Sequence, residues 1–202
     1  MKAILTAVSR ARFFILTVAF AYGISILAGA FMVHGGNTFA LDYRDRLVGD
    51  AARKDPAAIA GNEGNNFRAA ILDFAGNLFL GAVPKTISGG AIIMPYPFIL
   101  YQGWIGGIVS VRGDHTSRLN RLRPALYYLI TLILQIIPYS MASGAGVNVG
   151  VALFKPPVYY RGEKWARIFP KESLRDVARI YALVVPLFLI ASLWEFLSPW
   201  NF

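Results

Sequence analysis

Asn65–Val111 reads NNFRAAILDFAGNLFLGAVPKTISGGAIIMPYPFILYQGWIGGIVSV and contains two long apolar runs. The runs are Phe67–Val83 and Ala91–Val111, and a break that contains Pro and Gly separates them at residues 84–90. A helix needs about 20 mainly apolar residues to cross a bilayer. Broken backbone at membrane depth must be covered by protein or line a cavity. The segment therefore predicts a broken pair of membrane helices that is buried within a bundle.

The composition of the whole chain supports this class. The chain has 202 residues, of which 56% are hydrophobic and only 15% are charged, and its mean hydropathy is +0.50. Soluble domains have about 25% charged residues. The absence of cysteine excludes disulfides and thiolate metal sites. We attribute the net charge of +9 to loops that face anionic membrane lipids, and we predict no nucleic-acid partner.

Hydropathy predicts an all-α, polytopic membrane bundle of five to six spans in one integral membrane domain. Broken or re-entrant helices are expected around 84–90 and 138–144, because proline and glycine interrupt the apolar runs there. The predicted order is a span 13–33, a polar amphipathic segment 34–66, the broken pair 67–111, a basic loop 112–123, a hairpin 124–154 kinked at Pro138, a basic loop 155–179 and a last span 180–197. Within the second basic loop, we expect Glu172, Arg175, Asp176 and Arg179 to pair on a solvated helical turn.

Arginine and lysine suggest how the chain is oriented. Loops 112–123 and 155–179 hold 11 of the 20 basic residues, so both are expected to be cytoplasmic. The hairpin 124–154 would then connect two loops on the same side and place the C-terminus outside. Six spans would put the N-terminus outside. If 67–111 crosses only once, the N-terminus is cytoplasmic, which the basic residues beside the first span favour.

Polar side chains within the apolar runs are the candidate site. Asp73 is the sharpest, since a carboxylate within a span costs about 2.5–3.5 kcal/mol on insertion scales. Asn77 lies one helical turn later, and Lys85 reaches the same side if the break folds back. This set has two interpretations, a relay for an ion or polar substrate and a structural contact between helices. Three further polar residues join the candidate intramembrane site, namely Gln102, Asn148 and Glu195.

Two GxxxG patterns, Gly103–Gly107 and Gly146–Gly150, predict close helix packing or a partner interface. His34 and His115 lie in separate polar segments, so we predict no metal site. The sequence contains no P-loop, GxSxG or HExxH motif. We therefore predict no catalytic residues, no cofactor and no enzymatic activity.

The chain from about residue 65 onward resembles the stage II sporulation protein M family of small polytopic membrane proteins. The similarity covers roughly residues 65–202, and the matching motifs are Asn65-Asn66, Phe74-Ala75-Gly76, Leu80-Gly81, 101–106, Ile136-Ile137-Pro138, Ala145-Gly146 and 186–196. The family has Asn where this chain has Gln102. It also has His-Gly and a nearby Glu after the proline, where this chain has Tyr139, Ser140 and Ser143. The resemblance implies a membrane bundle, and we expect it in a prokaryotic plasma membrane.

Two functions follow from these features. The preferred one is a non-enzymatic membrane subunit that packs with other integral membrane proteins, or with copies of itself, in assembly or scaffolding. The alternative is a small transporter or channel in which Asp73 and Asn77 line a polar path between broken helices. The expected partners are membrane lipids and membrane proteins.

Overall fold

A computed structural model describes residues 1–165 and 168–200, and these residues are almost entirely helical. Residues 166–167 of the predicted loop 155–179, and residues 201–202 at the C-terminus, lie outside the described part. The α-helices are α1 Lys2–His34, α2 Thr38–Lys54, α3 Pro56–Asn62, α4 Asn66–Ala75, α5 Val83–Ser88, α6 Pro95–Ile108, α7 Leu122–Phe154 and α8 Lys171–Leu197. A π-helix, Gly76–Ala82, joins α4 to α5. Short 3₁₀ turns occur at Gly89–Ala91, Arg118–Asn120 and Val158–Tyr160, and β1 Lys164–Trp165 pairs antiparallel with β2 Phe169–Pro170.

Four helical stretches in the described part of the chain are long and apolar enough to cross a membrane. They are Lys2–His34, Asn66–Ala91, Leu122–Phe154 and Lys171–Leu197. The predicted five to six spans are therefore not confirmed. The shortfall arises partly at α6, whose 14 residues extend only about 21 Å.

The predicted hairpin at 124–154 is wrong, because α7 is one continuous helix of 33 residues with Pro138 inside it. The expected break around 138–144 is therefore absent. The glycines behind the proline serve close packing instead. A Cβ at Gly144 would lie 2.6 Å from the backbone nitrogen of Ile15, and one at Gly150 would meet the backbone of Gly89. The other predicted break exists, but it lies after Ser88 rather than at Pro84, which occupies the first turn of α5.

Continuity of α7 changes the expected topology. A helix that crosses the membrane once has its ends on opposite sides, so a single crossing by α7 would leave only one of the loops 112–123 and 155–179 cytoplasmic. Side-chain contacts show the same division. At one end of the bundle, Arg10 of α1 meets Asp176 of α8. At the other end, the ring nitrogen Nε2 of His34 lies 3.1 Å from Oγ of Ser110. Basic residues occur at both ends of the bundle, so the distribution of arginine and lysine no longer predicts which end is cytoplasmic.

The polar segment after α1 forms two helices at the His34 end. Asn37 caps α2 by accepting a hydrogen bond from the amide of Ala40, and Asp55 caps α3 in the same way. α2 lies within the predicted polar amphipathic segment 34–66. Its buried residues are Ala40 and Arg44, however, and the buried arginine was not anticipated. In the membrane region, α1 packs against α6, α7 and α8 around a core that includes Val18, Val184 and Phe188.

Candidate functional site

Asp73 is held by hydrogen bonds from two helices. It lies in the last turn of α4, and Asn77 stands one turn later at the start of the π-helix. Nδ2 of Asn77 donates to Oδ2 of Asp73 at 2.8 Å, and the hydroxyl of Ser192 on α8 donates to the same oxygen at 2.6 Å. The carboxylate thus ties the Asn66–Ala91 span to the last span.

Tyr139 of α7 adds a third helix to this cluster. Its hydroxyl donates to Oδ1 of Asn77 at 2.7 Å, and its ring is buried. The phenol reaches Asn77 because position 81 is glycine, where a Cβ would lie 2.5 Å from the Tyr139 hydroxyl. The ammonium of Lys85 lies 4.5 Å from the centre of the same ring and donates to the carbonyl of Gly81. Asn77 and Lys85 therefore both contact Tyr139, and Asp73 is linked to Tyr139 through Asn77. The sequence analysis did not identify Tyr139 as a site residue.

Glu195 lies one helical turn beyond Ser192 and contacts α7. Its Oε2 accepts a hydrogen bond from Nε2 of Gln135 at 3.1 Å, and its backbone carbonyl accepts one from the hydroxyl of Tyr127 at 2.7 Å. Next to it, the indole nitrogen of Trp194 donates to Thr131. This part of the site joins α7 to α8, and we call the whole group around Asp73, Asn77, Tyr139, Ser192 and Glu195 the central polar cluster.

The π-helix opens a groove beside the central polar cluster. π-Helices are rare and frequently occur at functional sites. The groove has a volume of about 590 Å³. It is lined by Asp55, Pro56, Ala57, Leu72, Asp73, Ala75, Gly76, Asn77, Phe79, Leu80 and Gly81. Leu80 is 83% exposed, and a Cβ at Gly76 would have no atom within 4 Å. We call this cavity the Asp73 groove.

Asn148 belongs to a second cluster near the Arg10 end of the bundle. Its Nδ2 donates to the hydroxyl of Tyr160 at 2.8 Å, and that hydroxyl donates to Oδ2 of Asp176 at 2.9 Å. Burial raises the pKa of the Tyr160 phenol, and the hydrogen bond to Asp176 adds to the shift. Arg10 and Arg179 both pair with Asp176. Asp176 is only 1% exposed, so the prediction of a solvated turn is wrong for this residue.

The remaining predicted residues lie in helix contacts. The side-chain oxygen of Gln102 is buried and accepts no hydrogen bond from the described residues. Gly103 and Gly107 of α6 face the backbone of α1, while Gly146 and Gly150 of α7 face the backbone around the 3₁₀ turn. All four glycines are thus occupied by contacts within the chain, which leaves them no free surface for a partner.

Sequence reasoning missed Tyr139, Ser192, Tyr160 and Arg10 as members of these clusters. Ser192 could have been predicted from the sequence, because it precedes Glu195 by three residues and therefore lies on the same face of the helix. Tyr160 and Arg10 gave none, since they lie far from their partners in the sequence. Within residues 1–165 and 168–200, no group of three or more His, Cys, Asp or Glu side chains could hold a metal ion.

A family model matches the sequence of this chain. The model described as stage II sporulation protein M matches residues 16–199, which is most of the chain. The match begins within α1 and ends just after α8, so it includes the central polar cluster and all of the second cluster except Arg10. No curated protein and no solved structure matches the chain.

Proposed function

Because the chain belongs to the stage II sporulation protein M family, we propose that it is a non-enzymatic integral membrane subunit that binds a partner's transmembrane helix in the Asp73 groove. The partner helix would carry a lysine, an arginine or another hydrogen-bond donor at the depth of Asp73. The role is assembly or scaffolding of a membrane complex.

One observation carries this proposal: Asp73 and Asn77 open onto a groove on the outside of the bundle instead of being sealed inside it. Two carboxylates, Asp55 and Asp73, line the groove, and no lysine, arginine or histidine of the described chain does. The rest of the lining is mainly apolar and includes the exposed side chains of Phe79 and Leu80. A carboxylate in such surroundings is stabilised by a basic or donor side chain from a neighbouring helix.

Helix packing also favours this surface over the glycine patterns. Partner contacts through Gly103, Gly107, Gly146 or Gly150 would require space that α1 and the 3₁₀ turn already fill. The transport alternative required a polar path between two broken helices. α7 is unbroken, and the break after Ser88, at the 3₁₀ turn Gly89–Ala91, lies against Gly150 rather than against Asp73. The geometry on which the alternative rested is therefore missing.

The test fills the groove without disturbing the bundle. Gly76→Leu places a side chain into open space in the Asp73 groove. Gly23→Leu is the matched control, because Gly23 also has no atom within 4 Å and lies in a purely apolar groove of about 490 Å³ on another face. Each variant is purified from native membranes in mild detergent, and the co-purifying proteins are identified and quantified by mass spectrometry.

We expect wild type and Gly23→Leu to retain one stoichiometric membrane partner and Gly76→Leu to lose it. Asp73→Asn should weaken the association, because the charge complementarity is lost while the hydrogen bond from Ser192 remains possible. The proposal is overturned if wild type purifies alone or only with copies of itself, or if both leucine variants keep the partner. Ion flux in liposomes that disappears in Asp73→Asn would instead support the transporter.

A further inference from the structure

The loop between α6 and α7 presents two arginines on one face. Val111 and Ser117 form an antiparallel bridge, and the amide of Arg112 donates to the carbonyl of Thr116 while that of Arg118 donates to the carbonyl of Ser110. Side chains alternate between the two faces of such a pair. Arg112 and Arg118 consequently lie on the same face, opposite Val111 and Ser117.

A third arginine supports this face from α2. Arg44 is only 6% exposed, and its Nη1 lies 3.7 Å from the position that a Cβ would take at Gly113 of the loop. Nη1 donates to Oδ1 of Asp45 at 2.8 Å, but its Nε is buried and has no hydrogen-bond partner within the described residues. A buried guanidinium with an unused donor thus lies directly behind the loop.

The described acids nearby form no ion pair with Arg112 or Arg118, although the charge of Arg112 contributes to the lowered pKa of the Asp114 carboxyl. Asp45 is shared between Arg44 and His115, whose Nε2 lies 2.9 Å from its Oδ2. Asp114 is occupied by hydrogen bonds from the amide and hydroxyl of Thr116. In the described chain, neither Arg112 nor Arg118 has a carboxylate within 4 Å, and Nε of Arg118 is buried without a partner.

The neighbouring arginines also affect the charge state of Arg118. Burial lowers the pKa of Arg118, and the charges of Arg44 and Arg112 lower it further. Half-buried cations without a carboxylate within 4 Å are costly, so a bound anion would stabilise Arg112 and Arg118. Phosphate groups suit paired guanidinium forks particularly well.

A cavity of about 320 Å³ lies in front of Arg112 and Arg118. Its remaining lining is Gly113, Pro124, Tyr127 and Trp200. The two aromatic residues belong to the first turns of α7 and to the segment that follows α8. Tyrosine and tryptophan at the ends of spans are typical of the headgroup level of a bilayer. The lining of the cavity therefore combines two arginines with two aromatic side chains of the kind found at the membrane surface.

We propose that this cavity binds the headgroup of an anionic phospholipid. Arg112 and Arg118 donate to its phosphate, Arg44 adds positive charge from behind, and Tyr127 and Trp200 contact the glycerol and upper acyl carbons. This site is separate from the Asp73 groove and does not depend on the proposed partner helix.

The experiment is native mass spectrometry of the full chain in detergent, titrated with phosphatidylglycerol and with phosphatidylcholine of identical acyl chains. We expect phosphatidylglycerol to bind about tenfold more tightly, which corresponds to one charge-assisted contact. Arg112→Gln and Arg118→Gln should each abolish this preference. Arg123→Gln is the matched control, because it removes the same charge from an exposed residue near the same end of α7.

Arg112→Gln keeps the test valid even if Arg118→Gln misfolds, since the Arg112 side chain forms no hydrogen bond within the described residues. Equal affinity for the two lipids would overturn the proposal. An equal loss of preference in Arg123→Gln would show general attraction to charge and would also overturn it. A competition experiment with inorganic phosphate completes the test. Displacement of phosphatidylglycerol by millimolar phosphate would identify a soluble anion as the ligand and would overturn the proposal of a lipid.

Discussion

Replacing Gly103 by alanine tests the packing of α6 against α1. A Cβ at Gly103 would lie 2.6 Å from the backbone carbonyl oxygen of Tyr22 and 3.0 Å from Cβ of Ser25. The first distance is about 0.8 Å short of the 3.4 Å at which ordinary contact begins. Because the nearest atom is backbone, no side-chain rotation relieves the clash, and the helices must separate.

The magnitude follows from comparison with Gly23→Ala. Both substitutions gain the same helix propensity, about 1 kcal/mol for glycine to alanine in a helix interior. Gly23 has no atom within 4 Å, so its variant gains propensity at no packing cost. Overpacking costs typically about 1–3 kcal/mol. The difference in unfolding free energy between Gly103→Ala and Gly23→Ala is therefore expected to be about 1–3 kcal/mol, with Gly103→Ala the less stable.

The assay is equilibrium unfolding in mixed micelles with increasing SDS, followed by far-ultraviolet circular dichroism. Equal transition midpoints for Gly103→Ala and Gly23→Ala would refute the close contact between α6 and α1. A midpoint for Gly103→Ala above that of wild type would refute it more strongly. Wild-type helix content before the transition serves as the control that both variants fold.

Two further predictions concern hydrogen bonds and use the same assay. Ser192→Ala removes the 2.6 Å donor to Asp73 and should cost about 0.5–2 kcal/mol, whereas an unchanged midpoint would show that this bond contributes nothing. The hydrogen bond from His115, and then that from Arg44, lower the pKa of the Asp45 carboxyl. The stability this provides is present above the ordinary pKa of about 3.9 and is lost as pH falls through the lowered value. Asp45→Asn should flatten the pH dependence in that acidic window, and an unaltered profile would contradict the assignment.

Local patterns in the sequence predicted the contacts that depend on helix periodicity. Asp73 and Asn77 are four residues apart, and the structure joins them by a hydrogen bond. The membrane class followed from apolar length in the same way. Tyr139 was beyond such reasoning, because its meeting with Asn77 depends on how α7 packs against the π-helix and on the small residue at Gly81.

Proline and glycine after residue 137 show a different kind of failure. They predicted a break, since Pro138 removes one backbone hydrogen bond and glycine weakens a helix. In the folded chain, Pro138 is buried and Gly144, Gly146 and Gly150 meet neighbouring backbones. Glycine can end a helix, or it can allow the backbone of a neighbouring segment to approach closely. Which of the two occurs depends on the segment that packs against it. A single sequence does not identify that neighbouring segment.

The π-helix determines how the two ends of the Asn66–Ala91 span are rotated relative to each other. On one side, Asp73 must face Ser192, and on the other, the hydroxyl of Thr86 must reach the carbonyl of Ala142 and the hydroxyl of Tyr181. Each residue turns an α-helix by about 100°, so losing one residue from 76–82 would swing one end away from its partners. Related chains are therefore expected to keep thirteen steps between the positions of Asp73 and Thr86 even where the residues between them differ.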